Sequence, residues 1–254
     1  MSLDGELPPL LRTRRIGRAL RFLPSCASTN DEAAAWARAG APSGAVVIAD
    51  QQSRGRGRFG RTWHSPPGDD LYFSTVLRPS LPPRAAPPLT LAVAVALAEA
   101  VASQGVEPEL KWPNDLLLDG KKAAGILTEM VATVERVEFV VVGIGVNLNA
   151  RHFPDELSAR ATSIALAAGR PVERAPFCAE LCARLEDWYE RFVDGGARPI
   201  ADAWKRHARL FGKPIAVDNG RARVQGVAED LDEEGALLVR SDGKLVRVVA
   251  GEIA

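Results

Sequence analysis

The chain has 254 residues, 46% of them hydrophobic and 25% charged, a mix that suits one large soluble domain or a main domain with a smaller one. Its 32 Lys and Arg balance 32 Asp and Glu, which argues against a broad nucleic-acid or anionic-membrane face, so local positive charge points to a site. Three cysteines, Cys26, Cys178 and Cys182, lack paired spacing and fit a reducing cytoplasm rather than a disulfide framework.

Asp4, Glu6 and a Pro pair interrupt the first ten residues, so no secretory signal is expected. The Arg-rich stretch "LLRTRRIGRALRFL" (10–23) reads as a solvated first helix running into a strand. "STNDEAAAWARAG" (28–40) carries helix-start signals: Ser28, Thr29 or Asn30 as N-cap, acids in the first turn, and Gly40 as the stop. "GAVVIADQQ" (44–52) is a β-branched run, hence a strand, which delivers the chain into "QQSRGRGRFGRTW" (51–63). "DLYFSTVLRP" (70–79) alternates like a strand and stops at Pro79.

The apolar run at 89–104 is expected to be a buried core helix, because Glu99 interrupts it and it is too short to span a bilayer. Two or three strands follow at 109–130, around a Pro-Asn-Asp turn and an Asp119-Gly120 hairpin turn. "VEFVVVGIGVNL" (137–148) is a buried strand ending in Gly143 and Gly145. The stretch 176–196 places Phe177, Leu181, Leu185, Trp188 and Phe192 on one helical face, which also makes Cys178 and Cys182 structural thiols. From about Gly212, short strands parted by Asn-Gly, Glu-Gly and Asp-Gly turns predict a small antiparallel barrel on an α/β body, with the boundary at 208–213.

Three polar clusters fall at strand ends. Ser28-Thr29-Asn30 is explained by capping about as well as by a site. The second cluster sets four arginines (Arg54, Arg56, Arg58, Arg61) among Gly55, Gly57 and Gly60. Like charges repel and ordering glycine costs entropy, so an arriving anion would offset both. A solvated loop or an RNA contact remains an alternative for that segment alone. The third, "KWPNDLLLDGKK", surrounds a turn with Lys111, Lys121 and Lys122. Lys and Asn suit carboxylate or phosphate oxygens, and Asp115 suits Mg²⁺ or a reacting proton. The histidines, His64, His152 and His207, are scattered and suggest no metal site.

Four ordered motifs, "STNDEA", "DQQSRGRGRFGRTWHSPPGDDLYFS", "KWPNDLLLDGKKAAGIL" and "GIGVNLN", closely resemble those of biotin–protein ligases over nearly the whole chain. The resemblance implies an α+β fold: a central mixed sheet flanked by helices (residues 1–210), then a small SH3-like barrel (211–254). It implies that biotin is activated by ATP as biotinyl-5′-AMP, then transferred to a lysine of a biotin carboxyl carrier domain. Ser28, Thr29, Asn30, Gln52, Gly55, Arg56, Gly57, Arg58, Lys122, Gly125 and Gly145 would form the biotin site. Arg56, Arg58, Trp63, Lys111, Asn114, Lys122 and Asn147 would surround the nucleotide. Lys122, Arg58 and Asp115 would carry the catalysis, with Mg²⁺ held mainly by ATP phosphates. The arginine loop would be mobile when empty and would order over biotin and then biotinyl-AMP.

Only about 20 residues precede the catalytic region, so no DNA-binding head or DNA contact is expected; balanced charge and the short apolar run argue against membrane association. The resemblance leaves monomer and homodimer open. The nearest rival is a lipoate or octanoate ligase, whose members typically carry Arg-Arg and a Gly triplet where this chain has "RGRGRFGR". A biotin-sensing or RNA-binding module is a more distant one.

Overall fold

The computed structural model describes residues 3–68, 70–218 and 223–253. A short helix α1 (Leu3–Glu6) and a 3-10 turn (Pro8–Leu10) lead into strand β1 (Leu20–Leu23). The expected helix over 10–19 does not form. The Glu186 carboxylate instead accepts the backbone N–H groups of Arg14, Arg15 and Ile16 at 2.6, 2.7 and 3.0 Å, which satisfies donors a helical turn would have used.

Helix α2 (Thr29–Arg38) follows, then β2 (Val46–Ala49), the arginine loop, β3 (Leu71–Leu77) and the long apolar helix α3 (Pro88–Ala102). Strands β4 (Glu109–Lys111), β5 (Asp115–Leu118), β6 (Lys121–Ala132) and β7 (Val137–Val146) come next. Asp119 and Gly120, at φ 49° and 75°, turn β5 into β6 as the Asp-Gly pair predicts. β7 ends at Val146, one residue past Gly145, so Gly143 and Gly145 fall in its last four residues as expected.

Among the described residues these seven strands form one mixed sheet in the order β1-β2-β3-β7-β6-β5-β4, with β1 and β2 parallel. Its two faces are separated by the two-residue period of the strands. In β7, Val140, Val142, Ile144 and Val146 enter the large core with α3, helix α6 (Arg174–Gly195) and helix α7 (Arg198–His207). Phe139 and Val141 enter a smaller core beneath α2, with Ala33, Ala37, Val47 and Val76.

Phe177, Leu181, Leu185, Trp188 and Phe192 are buried along α6, and both of its cysteines are buried free thiols. Between β7 and α6 lie two short helices, α4 (Asp155–Ser158) and α5 (Ile164–Ala168). Together with the preceding 3-10 turn, residues 83–102 reach membrane-spanning length and apolarity, where the sequence suggested too short a run. The helix is nevertheless mostly buried, packed against α6 and α7.

After α7 come β8 (Pro214–Asp218), β9 (Arg223–Leu231), β10 (Leu237–Ser241), β11 (Lys244–Val248) and β12 (Glu252–Ile253). They form an antiparallel sheet in the order β11-β10-β9-β8-β12. Among the described residues no pairing between β11 and β12 closes this sheet into a barrel. Gly235 and Gly243 adopt positive φ at the Glu-Gly and Asp-Gly turns. The expected Asn219-Gly220 turn lies outside the described residues.

Candidate active site

The α2 face of the main sheet carries a cavity of about 630 Å³. Period two puts Gly125 of β6 and Gly143 and Gly145 of β7 on that face, so its floor lacks side chains where neighbours need room. A Cβ on Gly145 would lie 2.5 Å from Trp63 Cε2, and one on Gly125 would lie 3.1 Å from both Trp63 Cζ3 and Lys122 Cε. The indole of Trp63 therefore rests directly on the strands.

One end of the cavity is a buried polar network at the start of α2. Gln52 Oε1 accepts the Thr29 N–H at 2.8 Å and the Thr29 hydroxyl at 3.1 Å, while its Nε2 donates to Ser65 Oγ at 3.0 Å. Ser74 Oγ donates to Asn30 Oδ1 at 2.7 Å, and Asn30 Nδ2 donates to Leu127 O and Glu129 Oε2 at 3.2 and 2.6 Å. Ser28 is the backbone N-cap of α2 without a side-chain cap bond, so its hydroxyl is not used to hold the helix.

The other end is cationic. Lys122 Nζ lies 2.6 Å from Asp115 Oδ1 and 5.3 Å from the Trp63 ring centroid. Two backbone bonds fix its position: Lys122 N–H donates to Arg160 O at 2.8 Å, and Lys122 O accepts from Thr162 N–H at 3.0 Å. Asn114 Nδ2 donates to Ile126 O at 2.7 Å and Asn147 Nδ2 to Thr162 O at 3.0 Å.

The arginine loop roofs this space. Its backbone closes on itself, with Gly57 N–H donating to Arg61 O at 2.7 Å and Trp63 N–H to Gly55 O at 2.9 Å. Its charge is offset inside the chain: Arg56 pairs with Asp31 and Glu129 at 2.8 and 2.9 Å, and Arg61 pairs with Glu252 of β12. These acids are distant in sequence, which is why the loop read as awaiting an external anion. Arg58 Nη1 donates to Asn114 Oδ1 at 3.1 Å and Gly251 O at 3.4 Å. Burial pushes the Arg58 guanidinium down from its ordinary value, against the pull of Glu252 and Asp115.

All sixteen expected residues except Gly55 line the cavity. Gly55 sits behind it, where a Cβ would lie 2.5 Å from Trp63 O and 2.6 Å from Ser65 Oγ, so its role is packing of the loop. The fold also brings in His64, Asp70, His152, Arg160 and Glu252, which carried no spacing signal in the sequence. Asp70 is legible only in three dimensions: its Oδ1 accepts the backbone N–H groups of Leu148, Asn149 and Ala150 at 2.8, 3.3 and 3.2 Å, tying down the strand end that carries Asn147.

Residues 22–147 match the profile of the Biotin/lipoate A/B protein ligase family, and residues 210–254 match that of the Biotin protein ligase C terminal domain. A biotin–[acetyl-CoA-carboxylase] ligase of Paracoccus denitrificans is 35% identical, the match covering 89% of this chain and 96% of that one. The chain is a member of the biotin–protein ligase family. The bifunctional ligase/repressor BirA of Bacillus subtilis is 37% identical over 98% of this chain and 78% of its own length. Among solved members of the ligase family, the Aquifex aeolicus enzyme in complex with biotin and ATP superposes with a TM-score of 0.82 at 27% identity, covering 93% of this chain and 98% of that one. The Leishmania major ligase in complex with biotinyl-5-AMP gives 0.62 at 25% identity, over 92% and 99%.

Proposed function

We infer that the chain is an ATP-dependent biotin–protein ligase, which makes biotinyl-5′-AMP and passes the biotinyl group to one lysine of a biotin carboxyl carrier domain. The observation that carries this reading is a single cavity with a neutral hydrogen-bonding pocket at one end and fixed cations at the other, in a chain of this family. Thr29, Asn30, Gln52 and Ser28 suit the ureido ring, which both donates and accepts hydrogen bonds. Lys122 and Arg58 suit the carboxylate and α-phosphate, with Trp63, Lys111, Asn114 and Asn147 around the nucleotide.

In the first step a biotin carboxylate oxygen attacks the α-phosphorus and pyrophosphate leaves. Two anions must be brought together, so pre-positioned cations lower the barrier most. Lys122, held through its backbone on both sides, meets that need. In the second step the acceptor ε-amine, in its neutral form, attacks the acyl carbon and AMP leaves. Between the steps the mixed anhydride must be kept from water, a task that suits the arginine loop.

Mg²⁺ would neutralise phosphate charge during the first step. The donors present suit an ion held mainly by ATP: among the described residues no three His, Cys, Asp or Glu cluster around a common point, and Asp115 is already paired with Lys122. Free thiols suit a cytoplasmic protein. The test is incubation with ATP, Mg²⁺ and either biotin or lipoate, followed by mass analysis. Biotinyl-AMP with biotin alone is the expected result; a lipoyl-adenylate would transfer the reading to lipoate ligation.

A further inference from the structure

Glu129 sits on β6 at the edge of the ureido-side pocket and does not line the cavity. One of its oxygens, Oε2, accepts both from Asn30 Nδ2 at 2.6 Å and from Arg56 Nη2 at 2.9 Å. Asn30 belongs to the buried floor at the start of α2, and Arg56 to the exposed roof. A single carboxylate oxygen therefore joins floor and roof. Both Asn30 amide protons are committed, to Glu129 and to Leu127 O, while Ser74 donates to its Oδ1. This fixes the amide with a lone pair of Oδ1 as the only capacity left for a ligand N–H. The Arg56–Glu129 contact is half-exposed on both sides, so it is weak enough to open for entry and re-form.

We propose that Glu129 is a positioning residue of the ligase reaction: it orients the Asn30 amide for the ureido group and holds Arg56 so that the loop retains the acyl-adenylate. The proposal rests on the biotin-ligase reading. Two substitutions separate its halves. Glu129→Gln keeps a neutral acceptor for Asn30 but loses one of the two carboxylates that hold Arg56, leaving Asp31 at 2.8 Å as the other; Glu129→Ala loses both the acceptor and that charge.

Pyrophosphate–ATP exchange gives KM for biotin and kcat, and filtration of the full-length protein gives biotinyl-AMP released to solution. Glu129→Gln is expected to leave KM within about twofold of the parent, because a neutral hydrogen bond replaces a charged one, while released biotinyl-AMP rises. Glu129→Ala is expected to raise KM roughly tenfold, as leaving a buried amide unpaired does, and to leak as well. In an Arg56→Ala background, Glu129→Ala should add nothing to the leak, since it acts there through Arg56. Parent-like KM and release in both variants would overturn the proposal, as would a fall in kcat and melting temperature without change in KM or release. If the unsubstituted protein formed no biotinyl-AMP at all, the ligase reading itself would fail, a result distinct from either.

Discussion

A methyl group at position 143 would sit 2.1 Å from Asn30 Oδ1, and the strand on which it stands is hydrogen-bonded on both sides. The backbone cannot retreat, so the amide must. Gly143→Ala is therefore expected to raise KM for biotin by about tenfold or more while leaving KM for ATP near the parent value, read from exchange kinetics with each substrate varied in turn. An equal rise in both would show that the whole face had shifted. At the cationic end, Lys122→Ala is expected to slow pyrophosphate–ATP exchange on the order of 10²-fold or more, as loss of a pre-positioned charge does. Near-parent exchange would remove Lys122 from the first step. Lys122 was expected here through the family resemblance, whereas the reason for Gly143 had no signal in the sequence, because a glycine in a strand does not say which side chain approaches it.

The elements followed the sequence where hydrophobic period and turn residues agreed. The Asp119-Gly120 hairpin, the apolar stripe of α6 and the strand at 137–146 all rest on local signals. The failure over 10–19 has a distant cause: Glu186, on α6, supplies the acceptor that organises Arg14, Arg15 and Ile16. Burial alone would raise this carboxyl, but the three N–H donors outweigh it and bring it below the ordinary value of 4.5. A lowered folded-state value means a stabilising contribution that is full above about pH 4.5 and is lost as pH falls through the folded-state value. Glu186→Gln is expected to cost about 2 kcal/mol at neutral pH, the scale of a charged hydrogen-bond acceptor, and less at acid pH. Denaturant unfolding of both proteins at pH 7 and pH 3.5 measures this; a pH-independent difference would assign the loss to packing.

At the scale of the whole molecule, the cavity is completed by two sheets that are separate in sequence. Trp112 Nε1 donates to Gly235 O at 3.2 Å, Arg61 pairs with Glu252, and Arg58 reaches from Asn114, in the turn between β4 and β5, to Gly251 O beside the second sheet. Motif order made the α+β body and the appended β unit legible, but pairings across 123, 191 and 193 residues leave no local trace. Arg58 is the point where this closure meets the chemistry, being half-buried and lining the cavity. Arg58→Gly removes both anchors and the charge while leaving the floor intact. Adenylation should stay measurable, because Lys122 is held independently of the loop. Biotinyl-AMP should escape and biotinylate lysines on unrelated proteins such as serum albumin, detectable by avidin blotting. Unchanged release of the adenylate, with unchanged labelling of bystander protein, would show that something other than the loop retains it.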